Sequence, residues 1–319
     1  MITHDERTVD LRIVDVTTVS EGVRSIHLSE IDGADLPPWS PGSHIDLHLG
    51  QGLVRQYSLC GRLNDSSTWR IAVLLEPSSR GGSRWLHEEL MAGDKIQVVG
   101  PRNHFMLEPA DEYLFIAGGI GITPIVPMLE AVTAQGGIWR LLYGGRSRNS
   151  MAFLEELEQY GDRVTIAPRD EVGDLAIAAE LERCGPGVAV YCCGPAPLLS
   201  AVEEACSALP RGTTHFERFT AKDIDDTGAA DEAFEVALDR SGISVRVAAD
   251  ESIVDAVSRV GVAVETSCRE GICGSCETRV LAGSPVHRDS ILSEEEQQAG
   301  DVMMICVGRA SSERLVLDL

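Results

Sequence analysis

The chain begins with short runs in which apolar and polar residues alternate. Within roughly the first 105 residues these runs are VDLRIVDV, VRSIHL, SHIDLHL, RQYSLC, TWRIAVLL and KIQVVG, separated by Pro, Gly, Asn or Asp. A period of two is typical of half-buried strands, and the regular spacing predicts a closed antiparallel β-barrel. One helical stretch, SRWLHEELMAG, interrupts the strands, and we expect a helix that starts near Ser83 and stops at Gly93.

Residues 110 to 218 have a different pattern. The apolar runs YLFIAGG, IWRLLYGG, RVTIAP and GVAVYCCGP alternate with the helical patterns TPIVPMLEAVTAQG, MAFLEELEQYG and APLLSAVEEACSAL. Strands that alternate with helices predict an α/β doubly wound parallel sheet. In such sheets ligands bind beyond the carboxyl ends of the strands.

A third pattern follows an acidic stretch, KDIDDTGAADEA, which is nearly free of large apolar residues and predicts a linker. FEVALDR and ISVRVAAD then predict a hairpin. The helix SIVDAVSRVG comes next, with Ser252 as N-cap and Asp255 at the capping-box position. We therefore expect a multidomain chain with domains at 1–106, 107–221 and 234–319 and a linker at 222–233.

Composition and charge narrow the range of functions and partners that the chain could have. The 50 acidic and 27 basic residues give a formal net charge of −23, which argues against nucleic acid as a partner. The acidic surface either serves solubility or steers a basic partner. The start, MITHDERTVDLR, shows no signal peptide, and the longest uncharged run, Tyr113 to Leu129, is too short and too rich in Gly and Pro for a membrane span. We expect a cytoplasmic protein without a membrane partner.

The loop SCREGICGSC carries three of the nine cysteines. Cys268, Cys273 and Cys276, with Cys306 further along, follow the C-x4-C-x2-C…C spacing of plant-type 2Fe–2S ferredoxins. Such a cluster needs four thiolates around two irons. We expect Gly271 and Gly274 to let the backbone point N–H groups at sulfur, and Arg269 to add positive charge. A zinc site or a reactive thiol pair are the alternatives. We expect the other five cysteines to be core residues, with Cys193 as a possible exception. They are Cys60, Cys184, Cys192, Cys193 and Cys206.

The strand run RQYSLC has residues suited to a flavin mononucleotide. Alternation puts Arg55 and Tyr57 on one face, where an arginine can grip a phosphate and a tyrosine ring can stack on a flat heterocycle. Ser58 offers its hydroxyl and N–H to a ring nitrogen. A surface arginine and a packed tyrosine are the alternative interpretation.

Two glycines in a separate stretch further along the chain could complete a phosphate site. Gly81, Gly82 and Ser83 lead directly into the predicted helix, whose free N–H groups would suit a phosphate. Ser83 could equally be a simple N-cap. The two stretches together favour a bound flavin.

AGGIGITP and YCCGPAPLL each join a predicted strand to a predicted helix. The first is not the G-x-G-x-x-G fingerprint, but its glycines allow close approach to a pyrophosphate, and we expect Thr123 to cap the helix that Pro124 begins. Cys193-Gly194-Pro195 would lie beside it. In YGGRSR, Arg146 and Arg148 could hold a ribose or phosphate, or could be solvated.

These segments together resemble the class IA reductases of Rieske-type oxygenases, the group of phthalate dioxygenase reductase and vanillate demethylase reductase. The resemblance covers essentially the whole chain and is carried by RQYSLC, SRGGS, GGIGITP, YCCGP, HFERF and CREGICGSC with Cys306. It implies a flavin β-barrel with FMN, an NADH-binding α/β domain and a C-terminal α+β ferredoxin-like (β-grasp) 2Fe–2S domain, in a monomer.

The resemblance also implies roles for single residues. The catalytic residues implied are Ser58 at the N5 edge of the flavin, Cys193 on the nicotinamide route and Phe219 over the flavin face. The cofactor-binding residues implied are Arg55, Gln56, Tyr57, Ser58, Gly81, Gly82, Ser83, Gly119, Ile120, Gly121, Thr123, Arg146, Cys193, Gly194 and Pro195. The metal ligands implied are Cys268, Cys273, Cys276 and Cys306.

The resemblance implies a reaction in which NADH gives a hydride to the flavin and single electrons reach a terminal oxygenase through the cluster. Three other interpretations stay open at this point: a reductase for a cytochrome P450 or another monooxygenase, an FAD-containing version of this reductase, and a zinc-binding interaction protein. The sequence does not distinguish NADH from NADPH.

Overall fold

The structure is a computed structural model that describes residues 7–50, 53–77, 81–210, 213–220 and 232–319. The predicted linker at 222–233 lies outside these residues except for its last two positions. By its internal contacts the chain divides into two units, Met1–Phe219 and Thr220–Leu319.

Alternation in the first part of the chain produces six antiparallel strands and one short helix. The strands are β1 (Arg7–Ser20), β2 (Val23–Glu30), β3 (Ser43–His48), β4 (Val54–Ser58), β5 (Trp69–Leu74) and β6 (Lys95–Asn103), and the helix is α1 (Gly82–Glu88). Their order in the sheet is β4-β3-β6-β1-β2-β5. A bridge between Leu59 and Ile71 joins the two ends of this order, so the sheet curls on itself as predicted.

Alternate residues of these strands fill the interior of the curled sheet. Leu11, Ile26, Ile45, Leu47 and Val98 are 0% exposed and pack in one cluster. Helix α1 is shorter than predicted and ends at Glu88, five residues before Gly93. The prediction that Ser83 could cap this helix is wrong. Gly81 occupies the N-cap in the left-handed conformation, and the Ser83 hydroxyl instead accepts the N–H of Glu76 over 3.2 Å.

The second half of the first unit is a five-stranded parallel sheet. Its strands are β7 (Glu112–Gly118), β8 (Ile138–Gly145), β9 (Val164–Pro168), β10 (Val188–Cys193) and β11 (Thr214–Glu217), in the order β11-β10-β7-β8-β9. Chain order reverses between β7 and β10. The crevice outside the carboxyl ends of these two strands is therefore where a doubly wound sheet binds its ligand.

Helices connect these parallel strands. They are α2 (Ile122–Ala134), α3 (Leu154–Leu157), α4 (Arg169–Val172), α5 (Ile177–Glu182) and α6 (Ala196–Cys206). The prediction of one helix over MAFLEELEQYG is mostly wrong. Only α3 is α-helical there, and a 3₁₀ stretch, Glu158–Arg163, follows it. Strand β11 was not predicted. Its four residues are too few to show a period.

The second unit is α+β, as predicted. Its strands are β12 (Phe234–Leu238), β13 (Ile243–Val247), β14 (Glu277–Ala282), β15 (Pro285–Val286), β16 (Val302–Met304), β17 (Arg309–Ala310) and β18 (Arg314–Leu317), and its helices are α7 (Ile253–Arg259) and α8 (Glu294–Ala299). A mixed sheet runs β13-β12-β18-β14-β16, with β15 and β17 as a separate pair. The predicted hairpin is β12–β13.

The N-terminus of α7 is capped as the sequence predicts. The Ser252 hydroxyl oxygen accepts the N–H of Asp255 over 3.1 Å, while the Asp255 carboxylate accepts the Ser252 hydroxyl over 2.7 Å. Val254 and Val257 of this helix pack with Val236 and Leu315 of the sheet in the core of the unit. Within the residues described, no helix is long and apolar enough to cross a membrane.

Candidate functional site

Arg55 on β4 lies against the start of helix α1. A Cβ atom at Gly82 would lie 2.5 Å from Arg55 Cγ, so only glycine leaves room for the arginine there. The guanidinium donates to the carbonyl of Val54 over 2.8 Å. Gly81 has φ +93° and no side chain caps the helix. The structure thus brings together Arg55, Gly81 and Gly82, an arrangement of guanidinium and backbone N–H groups that fits a phosphate.

Tyr57 and Gln56 lie on opposite faces of β4. Tyr57 packs on the edge of the barrel core, and burial raises the pKa of its phenol, so the ring stays neutral. The Gln56 side chain donates to the Asp46 carboxylate over 3.3 Å, and the buried Arg102 also pairs with Asp46. Gln56 therefore holds the strand in place through its side chain, which leaves its backbone as the part able to meet a flavin.

Ser58 of the curled sheet meets Cys193 and Glu217 of the parallel sheet. The Ser58 hydroxyl donates to Oε2 of Glu217 over 3.5 Å, and Cys193 Sγ lies 3.9 Å from the same oxygen. Cys193 and Glu217 are neighbours in register on β10 and β11. Ser58 and Cys193, predicted from separate motifs, are thus linked by a carboxylate that the sequence reasoning missed.

Burial changes the pKa values of two members of this trio. Desolvation raises the pKa of Glu217 to about 8, against smaller opposing effects of the bonds from Ser58 and Cys193. Burial also raises the pKa of the Cys193 thiol well above its usual value, with the Glu217 charge adding to it. Cys193 is therefore a neutral thiol and not a nucleophilic thiolate. The sequence signal for Glu217 was its place in HFERF, the motif that also contains Phe219.

The two glycine turns lie side by side at the switch point of the parallel sheet. A Cβ at Gly121 would lie 2.3 Å from the carbonyl oxygen of Cys193, and one at Gly118 would lie 2.7 Å from Pro195. Gly119 has φ +55° and nothing within 4 Å of its missing side chain. Gly118 and Gly121 thus allow the turns to touch. Gly119 leaves an open face where a pyrophosphate can approach.

The prediction that Thr123 caps the helix is wrong. Helix α2 begins at Ile122 with Gly121 as N-cap, and the buried Thr123 hydroxyl donates to the carbonyl of Ile120 over 2.9 Å. This hydrogen bond therefore restrains the backbone of the glycine turn. Ile120 is partly exposed beside Gly119. Its side chain packs at the edge of the core that α2 shares with β7.

The two arginines after β8 differ in their surroundings. Arg146 is exposed, and its carbonyl accepts the N–H of Asp170 over 3.2 Å. Arg148 makes a two-pronged ion pair with Glu171, at 3.1 and 2.8 Å. The structure thus ties the loop after β8 to α4. A ligand role for Arg146 stays a prediction.

Phe219 ends the first unit and is 37% exposed, which is high for a phenylalanine. It follows Glu217 by two residues on the segment that leaves β11. The expected cover of the flavin face by this ring stays a prediction.

The cysteine loop between α7 and β14 directs backbone N–H groups at sulfur. The Glu270 N–H donates to Cys268 Sγ over 3.2 Å, and the Cys268 N–H donates to Cys273 Sγ over 3.5 Å. Gly271 and Gly274 have φ of +70° and +74°. A Cβ at Gly271 would lie 2.7 Å from Val307 Cγ2, so only glycine lets the loop close on the segment after Cys306.

The four thiols lie close together at this loop. Cys268 contacts both Cys273 and Cys306, and Cys306 contacts Cys276. The hydrogen bond with Cys268, together with burial, raises the pKa of the Cys273 thiol. Within the described ranges no three His, Cys, Asp or Glu side chains are grouped so as to hold a single metal ion. Four neighbouring thiols, with N–H groups that donate to the sulfurs of Cys268 and Cys273, fit a two-iron cluster better than one zinc ion.

The positive charge expected beside this loop, that of Arg269, forms an ion pair. Arg269 has φ +57° and its guanidinium meets the Asp255 carboxylate at 2.9 Å, which ties the loop to α7. Three of the remaining cysteines, Cys60, Cys192 and Cys206, are buried in apolar clusters as predicted. Cys184 is partly exposed and its thiol donates to the Glu180 carbonyl over 3.2 Å.

Two known domain families match the chain. An oxidoreductase NAD-binding domain matches residues 115–204, and a 2Fe-2S iron-sulfur cluster binding domain matches residues 236–311. The first match begins within β7, ends within α6 and includes both glycine turns. The second begins in β12, ends just after β17 and includes all four clustered thiols.

Several relatives match over nearly the whole chain. Phenoxybenzoate dioxygenase subunit beta of Ectopseudomonas oleovorans is 44% identical over 98% of this chain and 97% of its own length. Tetrachlorobenzoquinone reductase of Sphingobium chlorophenolicum is 36% identical over all of both chains. The phthalate 4,5-dioxygenase oxygenase reductase subunit of Pseudomonas putida is 35% identical over 99% of this chain and 98% of its own.

Two solved structures share the fold over 98% of the chain. Phthalate dioxygenase reductase, described as modular for electron transfer from pyridine nucleotides to 2Fe–2S, superimposes with a TM-score of 0.71 at 35% identity and is covered to 98%. A type IV self-sufficient cytochrome P450 monooxygenase gives a TM-score of 0.92 at 42% identity. The chain spans only 41% of that second protein.

Proposed function

The chain belongs to the family of oxygenase reductase components that includes phthalate dioxygenase reductase, and we propose that it carries electrons from NADH to the terminal component of an oxygenase system. The observation that carries this proposal is the pairing, in one chain, of a nucleotide-binding sheet with a four-thiol cluster loop. When bound, a flavin takes a hydride from NADH and a 2Fe–2S cluster passes single electrons onward.

The barrel residues would hold FMN. Arg55, with the N–H groups at Gly82 and Ser83, would bind the terminal phosphate, and Tyr57 would stack on the ring. Ser58 would offer its hydroxyl to the N5 edge, near Glu217. The short cradle at Gly82 supports FMN over FAD, because a phosphate bound at the start of α1 ends the ligand there. These assignments rest on the contact between Arg55 and Gly82.

The parallel sheet would bind NADH at its switch point. The turns at Gly119–Gly121 and Cys193–Pro195 would receive the pyrophosphate and nicotinamide, with Thr123 stiffening the first turn from below and Arg146 at the adenosine end. Cys193 would meet the nicotinamide as a neutral thiol, which packs against a ring without attacking it. Phe219 would cover the flavin until the nicotinamide displaces it.

The cysteine loop would hold the cluster through Cys268, Cys273, Cys276 and Cys306. N–H groups that donate to Cys268 and Cys273 would stabilise the charge added on reduction. Arg269 would contribute less than its charge suggests, because Asp255 neutralises it. The transfer requires no acid–base residue.

The partner is a terminal oxygenase of the Rieske type, met in transient encounters by a cytoplasmic monomer. The net charge of −23 favours a partner with a basic docking face. A second candidate is a cytochrome P450, because a P450 of the self-sufficient type carries the same layout at 42% identity. A separate assay of each acceptor class, with equal reductase and NADH, distinguishes them: the true partner accepts electrons at the higher rate.

The test of the proposed function is an anaerobic titration with NADH. We expect the flavin absorbance to bleach as NADH is added, and the fully reduced sample to show the electron-spin resonance signal of a reduced 2Fe–2S cluster. Released cofactor identifies FMN or FAD by mass. Protein that binds neither iron nor inorganic sulfide after reconstitution would contradict the proposal.

A further inference from the structure

Tyr143 on β8 connects to the glycine turn of the neighbouring strand. The side chain is 0% exposed, and its hydroxyl donates to the carbonyl of Gly119 over 3.1 Å. Burial raises the pKa of the phenol, while a hydrogen bond from the backbone N–H of Ala152 has a smaller opposite effect. The phenol is thus a neutral donor at physiological pH, held between two loops at the carboxyl edge of the sheet.

The bond to Gly119 fixes the orientation of one peptide group. In a trans peptide the C=O of one residue and the N–H of the next point in opposite directions. With the Gly119 carbonyl held toward Tyr143, the N–H of Ile120 points away from it, toward the open face of the turn. Gly119 has φ +55° and nothing within 4 Å of its missing side chain. Its carbonyl also accepts the N–H of Ile122 at the end of the turn, so the phenol adds a second hydrogen bond to the same oxygen.

We propose that Tyr143 is a positioning residue that holds the glycine turn ready for the pyrophosphate of the dinucleotide. The inference rests on the proposed function, since it assumes that a dinucleotide binds at this turn. Tyr143 does not touch the ligand. It acts through Gly119, by presenting the Ile120 N–H to a phosphate oxygen before the ligand arrives, so that binding does not have to order the turn.

The same sheet offers a matched control near the amino ends of its strands, away from the glycine turns. Tyr113 on β7 is 5% exposed, its hydroxyl donates to the carbonyl of Glu108 over 3.0 Å, and the Ala110 N–H donates to it over 2.8 Å. Replacing either tyrosine with phenylalanine removes one phenol that bonds to backbone and leaves the ring packed. Only Tyr143 is bonded to the glycine turn.

The experiment compares wild type, Tyr143→Phe and Tyr113→Phe by calorimetric titration with ADP and, separately, with adenosine. We expect Tyr143→Phe to weaken ADP binding about threefold to tenfold, the effect of one lost neutral hydrogen bond, with adenosine binding unchanged. Tyr113→Phe should bind both ligands as wild type does. Thermal unfolding of both variants shows whether the two substitutions cost similar stability.

Steady-state kinetics give a second readout that a general loss of stability does not move. Tyr143→Phe should raise the KM for NADH by a similar factor and leave kcat within about twofold, since the interaction is made equally in the ground state and the transition state. ADP affinity equal to wild type in Tyr143→Phe, or an equal loss in Tyr113→Phe, overturns the inference. Wild-type protein that binds neither ADP nor NADH contradicts the proposed function itself.

Discussion

The Ser58 hydroxyl donates to the Glu217 carboxylate across 3.5 Å, although 159 residues separate the two positions and they lie on different sheets. The bond joins the strand that would carry the flavin to the last strand of the nucleotide-binding sheet. Cys193 reaches the same carboxylate oxygen. A hydride acceptor and a hydride donor bound to their own sheets would therefore meet at Glu217.

Glu217 makes stability depend on pH. Its folded pKa is raised from 4.5 to about 8, so between these values the folded protein keeps a proton that the unfolded chain has lost. Stability should fall as pH rises through this window and then level off, by about 2 kcal/mol after allowance for partial exposure. Urea unfolding of wild type and Glu217→Gln from pH 5 to 9 measures the difference.

The glutamine variant is the reference for that measurement, since it keeps the size of the side chain and cannot ionise. Its stability relative to wild type should increase steadily with pH across the window. Parallel pH profiles for the two proteins would show that Glu217 ionises normally in the folded state.

Arg55→Lys should weaken FMN binding about tenfold. Lysine keeps the charge but loses the planar two-pronged grip on a phosphate. Riboflavin, which has no phosphate, should bind the variant and wild type alike. Fluorescence quenching of each flavin on addition of apoprotein gives both affinities, with Arg62→Lys as the control. An equal loss for riboflavin would show that Arg55 supports the fold and not the phosphate.

Gly121→Ala should separate the two glycine turns. The new Cβ would lie 2.3 Å from the backbone oxygen of Cys193, which cannot move aside as a flexible side chain would. We expect a loss of about 1–3 kcal/mol in stability and weaker ADP binding. The matched variant is Gly187→Ala, whose Cβ would meet nothing within 4 Å. Thermal unfolding and ADP titration should leave that control near wild type, and similar losses in both would refute the steric argument.

Cys273→Ser should abolish electron transfer to one-electron protein acceptors while flavin reduction by NADH continues. The thiol is 1% exposed and accepts the N–H of Cys268, so the serine oxygen fits the site but binds iron poorly. Iron and sulfide analysis, stopped-flow bleaching of the flavin and reduction of cytochrome c provide the three measurements. Cys184→Ser is the control and should keep its cluster. Loss of flavin reduction in folded Cys273→Ser would show that the roles are not separate.

Patterns confined to a few residues were predicted well because their cause is local. The spacing of Cys268, Cys273 and Cys276 keeps three thiols within one short loop, and the period of two in the barrel strands follows from one buried face. The cap at Ser252 likewise depends only on the next turn of helix. Short pieces failed where tertiary packing overrides propensity, as at α3, or where no period can develop, as at β11.

Only the tertiary structure decided which distant side chains meet. Ser58, Cys193 and Glu217 converge because the strand order of the parallel sheet puts β11 beside β10 and because the first unit packs β4 against that edge. The bond from Tyr143 to Gly119 arises the same way, from the pairing of β7 with β8. Such contacts depend on sheet order and packing, which involve the whole chain, whereas a motif records only the few residues that a local geometry requires.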